Sequence, residues 1–270
     1  MLLARRSKPK SLGEYVGHSE MLRPGKELLE AISSPVLPSL VVYGPSGIGK
    51  TTISRLLAQK KGYRFAELDF YDFGRLHSHH KETFDGVLQD AVKVFEENGT
   101  KTALLLDEIH RATRDQQAKV VEALDKGAIV VVGTTVFKPD KYLIPSLAAL
   151  IKEIPLMMHG PEELRQILHH VLADREHGLG DLQVTVDADA ENLLCSSTDG
   201  NAKIMLRFLE REVFRQIAFH KADPAKKDTP LAVHITRPQI ASLVNDRLKR
   251  KSDELRMKLR KKDSSPSVIA

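Results

Sequence analysis

SLVVYGPSGIGKTT, residues 39–52, decides the fold. Its first half is an apolar, β-branched run with the length of a buried strand. GPSGIGKTT (44–52) then fits G-x-x-x-x-G-K-[ST], and KTTISRLLAQKK reads as a helix. Strand, glycine-rich loop and helix in that order make a phosphate-binding loop. Gly44, Gly47 and Gly49 let the backbone wrap close to an anion, which then faces successive N–H groups and the positive end of the helix. Gly44, Pro45, Ser46, Gly47, Ile48, Gly49, Lys50, Thr51 and Thr52 are therefore candidate nucleotide contacts. Lys50 is expected to reach the β- and γ-phosphates of ATP, and Thr51 to bind Mg2+.

Working outward, three more apolar runs have strand character: RFAELD (64–69), TALLLD (102–107) and AIVVVGTT (128–135), with a weaker fifth at IKEIPL. Helical patterns separate them. ETFDGVLQDAVKVFEENG stops at Gly99, and RDQQAKVVEALDKG closes at Gly127. Strands alternating with helices of this length predict an α/β fold, a parallel sheet covered by helices on both faces. After Pro155 the pattern becomes consecutive helices (PEELRQILHHVLADREHG, DADAENLLCSST, NAKIMLRFLEREVFRQIAFH), followed by a polar link, KADPAKKDTP, and a last helix with Pro238 in its first turn. The expected organisation is a nucleotide-binding α/β domain over 1–156, a small all-helical lid over 157–246 and a basic tail over 247–270.

Two further strand ends carry candidate chemistry. In LLLDEIHR (104–111), Asp107 closes a strand and is expected to hold Mg2+, directly or through water; Glu108 beside it is placed to deprotonate an attacking water. In VVVGTTV (130–136), Thr134 or Thr135 would meet the γ-phosphate or that water at the same sheet edge. The catalytic candidates are thus Glu108, Lys50 and Thr134, and the metal candidates Thr51 and Asp107.

SLGEYVGHSEMLRPGKELLEAI, LPSLVVYGPSGIGKTTISRLLA, LLLDEIHR and GTT together resemble the AAA+ ATPases of the clamp-loader clade. Within it they resemble the replication-associated recombination protein A (RarA) family, which includes the eukaryotic Werner-helicase-interacting protein. The similarity runs from about Ser7 to Leu209. It implies a P-loop AAA+ domain with a helical lid, ATP at their junction, ring or partial-ring assembly and action on DNA at stalled forks. It also implies that Tyr15, Val16 and Gly17 line the adenine site and that a lid residue senses the nucleotide.

Three departures qualify what the resemblance implies. The family ends its last ATPase-domain loop with Pro-x-Leu-x-Ser-Arg-Cys, whose arginine reaches a neighbour's γ-phosphate. In IPSLAALIKEIP (144–155), Pro145 and Leu147 align, and Ala149 and Leu150 stand where Ser and Arg belong. An arginine finger raises phosphoryl-transfer rates by a factor on the order of 10³ to 10⁵. A homo-oligomer is therefore expected to hydrolyse slowly unless Lys152, Arg111 or Arg114 substitutes or an arginine-bearing AAA+ partner supplies the group. The lid's Gly-Asp-Ala-Arg reads Gly200-Asn201-Ala202-Lys203 here; Lys203 keeps the charge and loses the planar fork. Relatives continue into a C-terminal oligomerisation region, so tetramer formation by that route is not expected. Two readings follow: a DNA-dependent ATPase with a borrowed or atypical finger, and an ATP-bound scaffold or subunit of a larger assembly that does not hydrolyse.

Composition bounds the rest. A chain of 270 residues that is 41% apolar can bury a sizeable core. The single cysteine, Cys195, makes no internal disulfide, and a reducing, intracellular setting (cytoplasm, nucleoid or nucleus) is the expectation. MLLARRSKPK lacks the apolar core of a signal peptide, and no run is long enough to span a membrane. Residues 247–262 hold nine Lys and Arg against Asp253 and Glu254, a local +7 in a chain of net +5, which leaves −2 elsewhere. That tail suits phosphate contact, partner docking or nuclear import, or only keeps the chain end solvated. In FYDFGRLHSHHKE, His77, His79 and His80 lack the ligand set of a metal site, and Phe70, Tyr71 and Phe73 read as core or as base-stacking residues.

Overall fold

The computed structural model describes residues 3–70, 79–223 and 231–263; the side chains of residues 79–83 and 258–263 are not described. The expectations for Tyr71, Phe73, His77 and most of the polar link therefore fall outside the described residues, and those for His79 and His80 concern side chains that are not described. The chain divides into two compact units, residues 8–167 and residues 1–7 with 168–270.

The larger unit is built on five parallel strands, β1 (Leu40–Tyr43), β2 (Arg64–Asp69), β3 (Thr102–Asp107), β4 (Ile129–Thr135) and β5 (Lys152–Pro155), in the order β2-β3-β4-β1-β5. Every apolar run predicted as a strand is one. Side chains alternate across a pleated strand, so both faces need cover. Val41, Leu104, Leu106, Ile129 and Val131 point into one buried cluster with Phe84, Leu88 and Ala91 of α4 (His79–Asn98) and Val120 and Ala123 of α5 (Arg114–Asp125). Leu40, Val42, Ala103, Leu105, Val130 and Val132 point into the other, with Leu28 and Ala31 of α2 (Glu27–Ser33) and Ile53, Leu57 and Ala58 of α3 (Lys50–Ala58). Phe70 is buried against Phe84, with ring centroids 6.0 Å apart, so of the three aromatics in that stretch this one is core.

Local signals set the helix ends. Thr113 and Gln116 form a reciprocal capping box at α5, and Gly99 and Gly127 take φ of +71° and +72° after α4 and α5. The short helix α6 (Pro145–Ala148) follows, with Pro at its first position, and Ala149 and Leu150 behind it are exposed.

The smaller unit contains α1 (Leu3–Arg6), α8 (Ala188–Ser196), α9 (Ala202–Ala222) and α10 (Arg237–Asp263); α7 (Pro161–Ala173) crosses the division between units. Its core includes Leu194, Leu209, Val213, Ile235 and Ile240, and Cys195 is buried there. It is not purely helical. Gln183–Val186 (β6) and Ala232–Ile235 (β7) pair in parallel, two four-residue strands with half their side chains exposed, too short and too polar to stand out in the sequence. α10 runs without a break through residue 247, so the basic segment continues a helix whose start packs on α8 and α9. No helix among the described residues is long and apolar enough to cross a membrane.

Candidate nucleotide site

Strand order brings distant residues together. β4 lies between β1 and β3, with Tyr43 opposite Thr135 and Leu106 opposite Gly133, so the loop after β1 and the ends of β3 and β4 share one sheet edge. The Gly44 N–H donates to the Thr135 carbonyl at 3.2 Å. A Cβ on Gly44, at φ +146°, would sit 2.2 Å from the Leu156 carbonyl oxygen, so only glycine allows the chain to turn there. Gly47 and Gly49 also have positive φ, and Gly49 precedes the first turn of α3. The loop is therefore folded with the start of α3 behind it, an arrangement that suits an anion.

Lys50, 6% exposed, donates from Nζ to the Pro45 carbonyl across the loop at 2.8 Å. Burial pushes its pKa below the ordinary lysine range, against the opposing pull of Glu108 and Asp107. The Thr51 hydroxyl lies 2.9 and 3.1 Å from the two Asp107 carboxylate oxygens. Thr134, fully buried, donates its hydroxyl to Asp107 Oδ1 and accepts from the Glu108 N–H at 3.1 Å. Thr135 instead faces His110, Oγ1 to Nδ1 3.1 Å. Sequence left these two threonines as alternatives; the structure gives each its own partner. Glu108 has left-handed backbone angles (φ 56°, ψ 45°), unusual for a residue with a Cβ. Burial, then Asp107, raise its carboxyl pKa, while Lys50 and Arg111 act to lower it. A partly buried carboxyl with a raised pKa beside a cation and a second carboxylate has the electrostatics of a general base. Thr51 and Asp107 present hard oxygens to one point, a donor set that suits Mg2+.

Tyr15, Val16 and Gly17 lead into a second cluster. Tyr15 Oη is 2.7 Å from His18 Nδ1, and the His18 ring lies 4.3 Å from that of His159. His159 Nε2 donates to the Ile48 carbonyl of the phosphate loop at 3.0 Å, and its Nδ1 faces Glu163 Oε2 at 3.5 Å. Gly17, at φ +108°, lies so close to His159 that a Cβ would be 2.6 Å from Cε1. Burial first, then His159, bring the His18 pKa down to about 4, although Glu163 and the Met157 backbone pull upward. Burial also lowers His159. Burial would raise Glu163, but hydrogen bonds from Ser19 and Gly160 hold it below the ordinary range. The segment carrying Tyr15–Gly17 is thus tied through His18 and His159 to the phosphate loop. Neither histidine was singled out from the sequence. His18 completes the quoted EYVGH and His159 stands just before α7, and no spacing links residues 141 apart.

Lys203 lies in the other unit, exposed in the first turn of α9, where the Asn201 side chain accepts from the Ile204 N–H at 3.1 Å.

Residues 40–147, the stretch holding these strands and loops, match the ATPase family associated with various cellular activities (AAA). The chain carries an AAA domain. Beyond the AAA domain the likeness extends to longer proteins. The chain is 31% identical over 211 residues to the replication-associated recombination protein A of Coxiella burnetii, and 28% identical to that of Escherichia coli, in each case over 77% of this chain and 45% of the relative. It is 28% identical to ATPase WRNIP1 of Dictyostelium discoideum, over 78% of this chain and 23% of that one. The chain thus spans less than half the length of these relatives. Among solved structures, the Thermotoga maritima RuvB Holliday junction branch migration motor superposes with a TM-score of 0.61 at 19% identity, over 87% of this chain and 71% of that one. The shared feature is the AAA+ P-loop fold that the sequence predicted.

Proposed function

We propose that the chain is an ATP-binding AAA+ protein acting on DNA in replication or recombination maintenance, a DNA-dependent ATPase that takes its arginine finger from a partner or an atypical residue. The observation that carries this reading is the convergence of Lys50, Thr51, Asp107, Glu108 and Thr134 at one sheet edge behind a folded phosphate loop. Lys50 binds the β- and γ-phosphates and Thr51 and Asp107 hold Mg2+, which when bound supplies charge neutralisation on the phosphates. Glu108 accepts the proton of the attacking water, and Thr134 fixes the backbone that presents it. Tyr15–Gly17 line the base, and Lys203 senses the phosphate from the lid.

DNA as a partner, and intracellular work as part of a ring or mixed assembly, rest on likeness to relatives of which this chain spans under half. A second reading, an ATP-bound scaffold without turnover, is favoured by one observation: Ala149 and Leu150 stand exposed where the family carries Ser and Arg.

Steady-state ATP hydrolysis with and without forked DNA separates the two. The enzyme reading expects DNA-stimulated turnover that Glu108→Gln abolishes with ATP binding intact. Tight ATP binding, no turnover with any DNA and an assembly that depends on Lys50 would leave the scaffold.

A further inference from the structure

Beyond its two threonines, β4 leads onto a surface that the nucleotide site does not use. The chain passes through Val136 and Phe137, a short 3-10 turn (Pro139–Lys141) and Tyr142. Phe137 and Tyr142 are 44% and 41% exposed, and their rings lie together, centroids 4.7 Å apart and inclined at 30°. Behind both stands His110, edge-on to Phe137 at 5.0 Å and to Tyr142 at 6.0 Å. Nδ1 of that imidazole lies 3.1 Å from Thr135 Oγ1 and 3.4 Å from Glu108 Oε2. A single side chain therefore separates an exposed aromatic pair from the candidate general base.

The surroundings are fixed and basic. Gln117, 2% exposed, donates to the Ala112 and Tyr142 carbonyls at 3.1 Å each and accepts from the Ile144 N–H at 2.8 Å, tying the stretch after His110 to the stretch after Tyr142. The stretch after His110 exposes Arg111 and Arg114 against Asp115, and the turn that leads into Tyr142 exposes Lys138 and Lys141 against Asp140. Asp140 is held by Lys138 at 3.2 Å and Asp115 by Lys119 at 3.5 Å. Rings that offer flat faces among excess cations match single-stranded nucleic acid, whose bases stack without regard to sequence and whose phosphates seek positive charge. The centre of a protein–protein interface is depleted in charge, and this patch is not.

We propose that Phe137 and Tyr142 form a stacking platform for single-stranded DNA, and that His110 relays its occupancy to Glu108. The relay deepens the DNA-dependent ATPase reading and rests on it; the platform does not need turnover to be tested. A base laid on the rings bears on His110, which shares Nδ1 between Thr135 and Glu108, and so changes how the carboxylate is held. His110 is a positioning residue, since it touches Glu108 and not the DNA.

The test uses the full chain and fluorescent oligo(dT), read by anisotropy at fixed salt. Phe137→Leu and Tyr142→Leu keep apolar bulk and remove the ring face; each is expected to weaken oligo(dT) binding on the order of tenfold, with melting temperature and ATP affinity as in the wild type. His110→Asn is expected to keep oligo(dT) affinity and lose DNA stimulation of hydrolysis. Equal affinity in the wild type and the double leucine variant, or no oligo(dT) binding by the wild type, overturns the platform. Equal affinity together with lost self-association in sedimentation assigns the rings to a protein contact and overturns it too. Full stimulation in His110→Asn overturns the relay. Absence of turnover with any DNA would count against the ATPase reading and the relay, while anisotropy still decides the platform; DNA-stimulated turnover with unchanged leucine variants would sink the platform and leave the ATPase standing.

Discussion

Replacing His18 with Gln should remove much of the chain's sensitivity to mild acid. His18 is 4% exposed, and its pKa of about 4 lies well below the 6.5 of an unfolded histidine. Above pH 6.5 it is neutral folded or unfolded and contributes no pH dependence. Between pH 6.5 and 4 the unfolded chain takes up a proton that the folded chain refuses, so stability falls as pH falls through this window. At pH 5 the two pKa values give a loss of about 2 kcal/mol, with a limit of about 3 kcal/mol below pH 4. His159, also depressed, adds in the same direction. Urea unfolding at pH 7.5 and pH 5.0 measures this directly. The wild type should lose about 2 kcal/mol more between the two than His18→Gln does. Identical losses would mean that His18 accepts a proton in the folded chain as readily as in the unfolded one, and that the pair beside Tyr15 and Ile48 is not shut off from water.

Other perturbations probe the sheet edge. Thr134→Val leaves the Glu108 N–H without its acceptor, and a loss of about 1–3 kcal/mol in urea unfolding is expected, with turnover falling further than ATP affinity. Gly44→Ala forces a Cβ to 2.2 Å from the Leu156 oxygen at a strained φ and should cost more than about 1 kcal/mol in thermal or urea unfolding, with ATP binding weakened. Leu150→Arg, at the exposed position where the resemblance leads one to expect the finger, should raise the turnover of a self-assembled form roughly tenfold or more; unchanged turnover in an assembled variant would mean that this loop does not reach a neighbour's phosphate.

Much of the sheet was legible because parallel strands covered on both faces must be continuously apolar, and LVVY, TALLLD and IVVVGTT are. The phosphate loop was legible because its glycines, lysine and threonine are consecutive. β6 and β7 were not: QVTV alternates exposed and half-buried residues and AVHI exposed and buried ones, each over only four residues, a weak signal inside helical sequence. The division of labour between Thr134 and Thr135 was not legible either, since adjacent hydroxyls point to opposite faces of a strand and only the position of β3 and of His110 tells which meets Asp107. The His18–His159 pair and the His110 aromatic cluster are products of tertiary packing. Their members lie on separate segments with no periodic relation.

The most direct test of the central claim is a titration of the purified chain with Mg-ATP beside Lys50→Ala. The account predicts saturable, Mg2+-dependent binding at one site per chain that the substitution removes, since the buried ammonium lies across the loop, 2.8 Å from the Pro45 carbonyl, within the electrostatic reach of Asp107 and Glu108. Absence of binding, or binding that Lys50→Ala leaves unchanged, would contradict it.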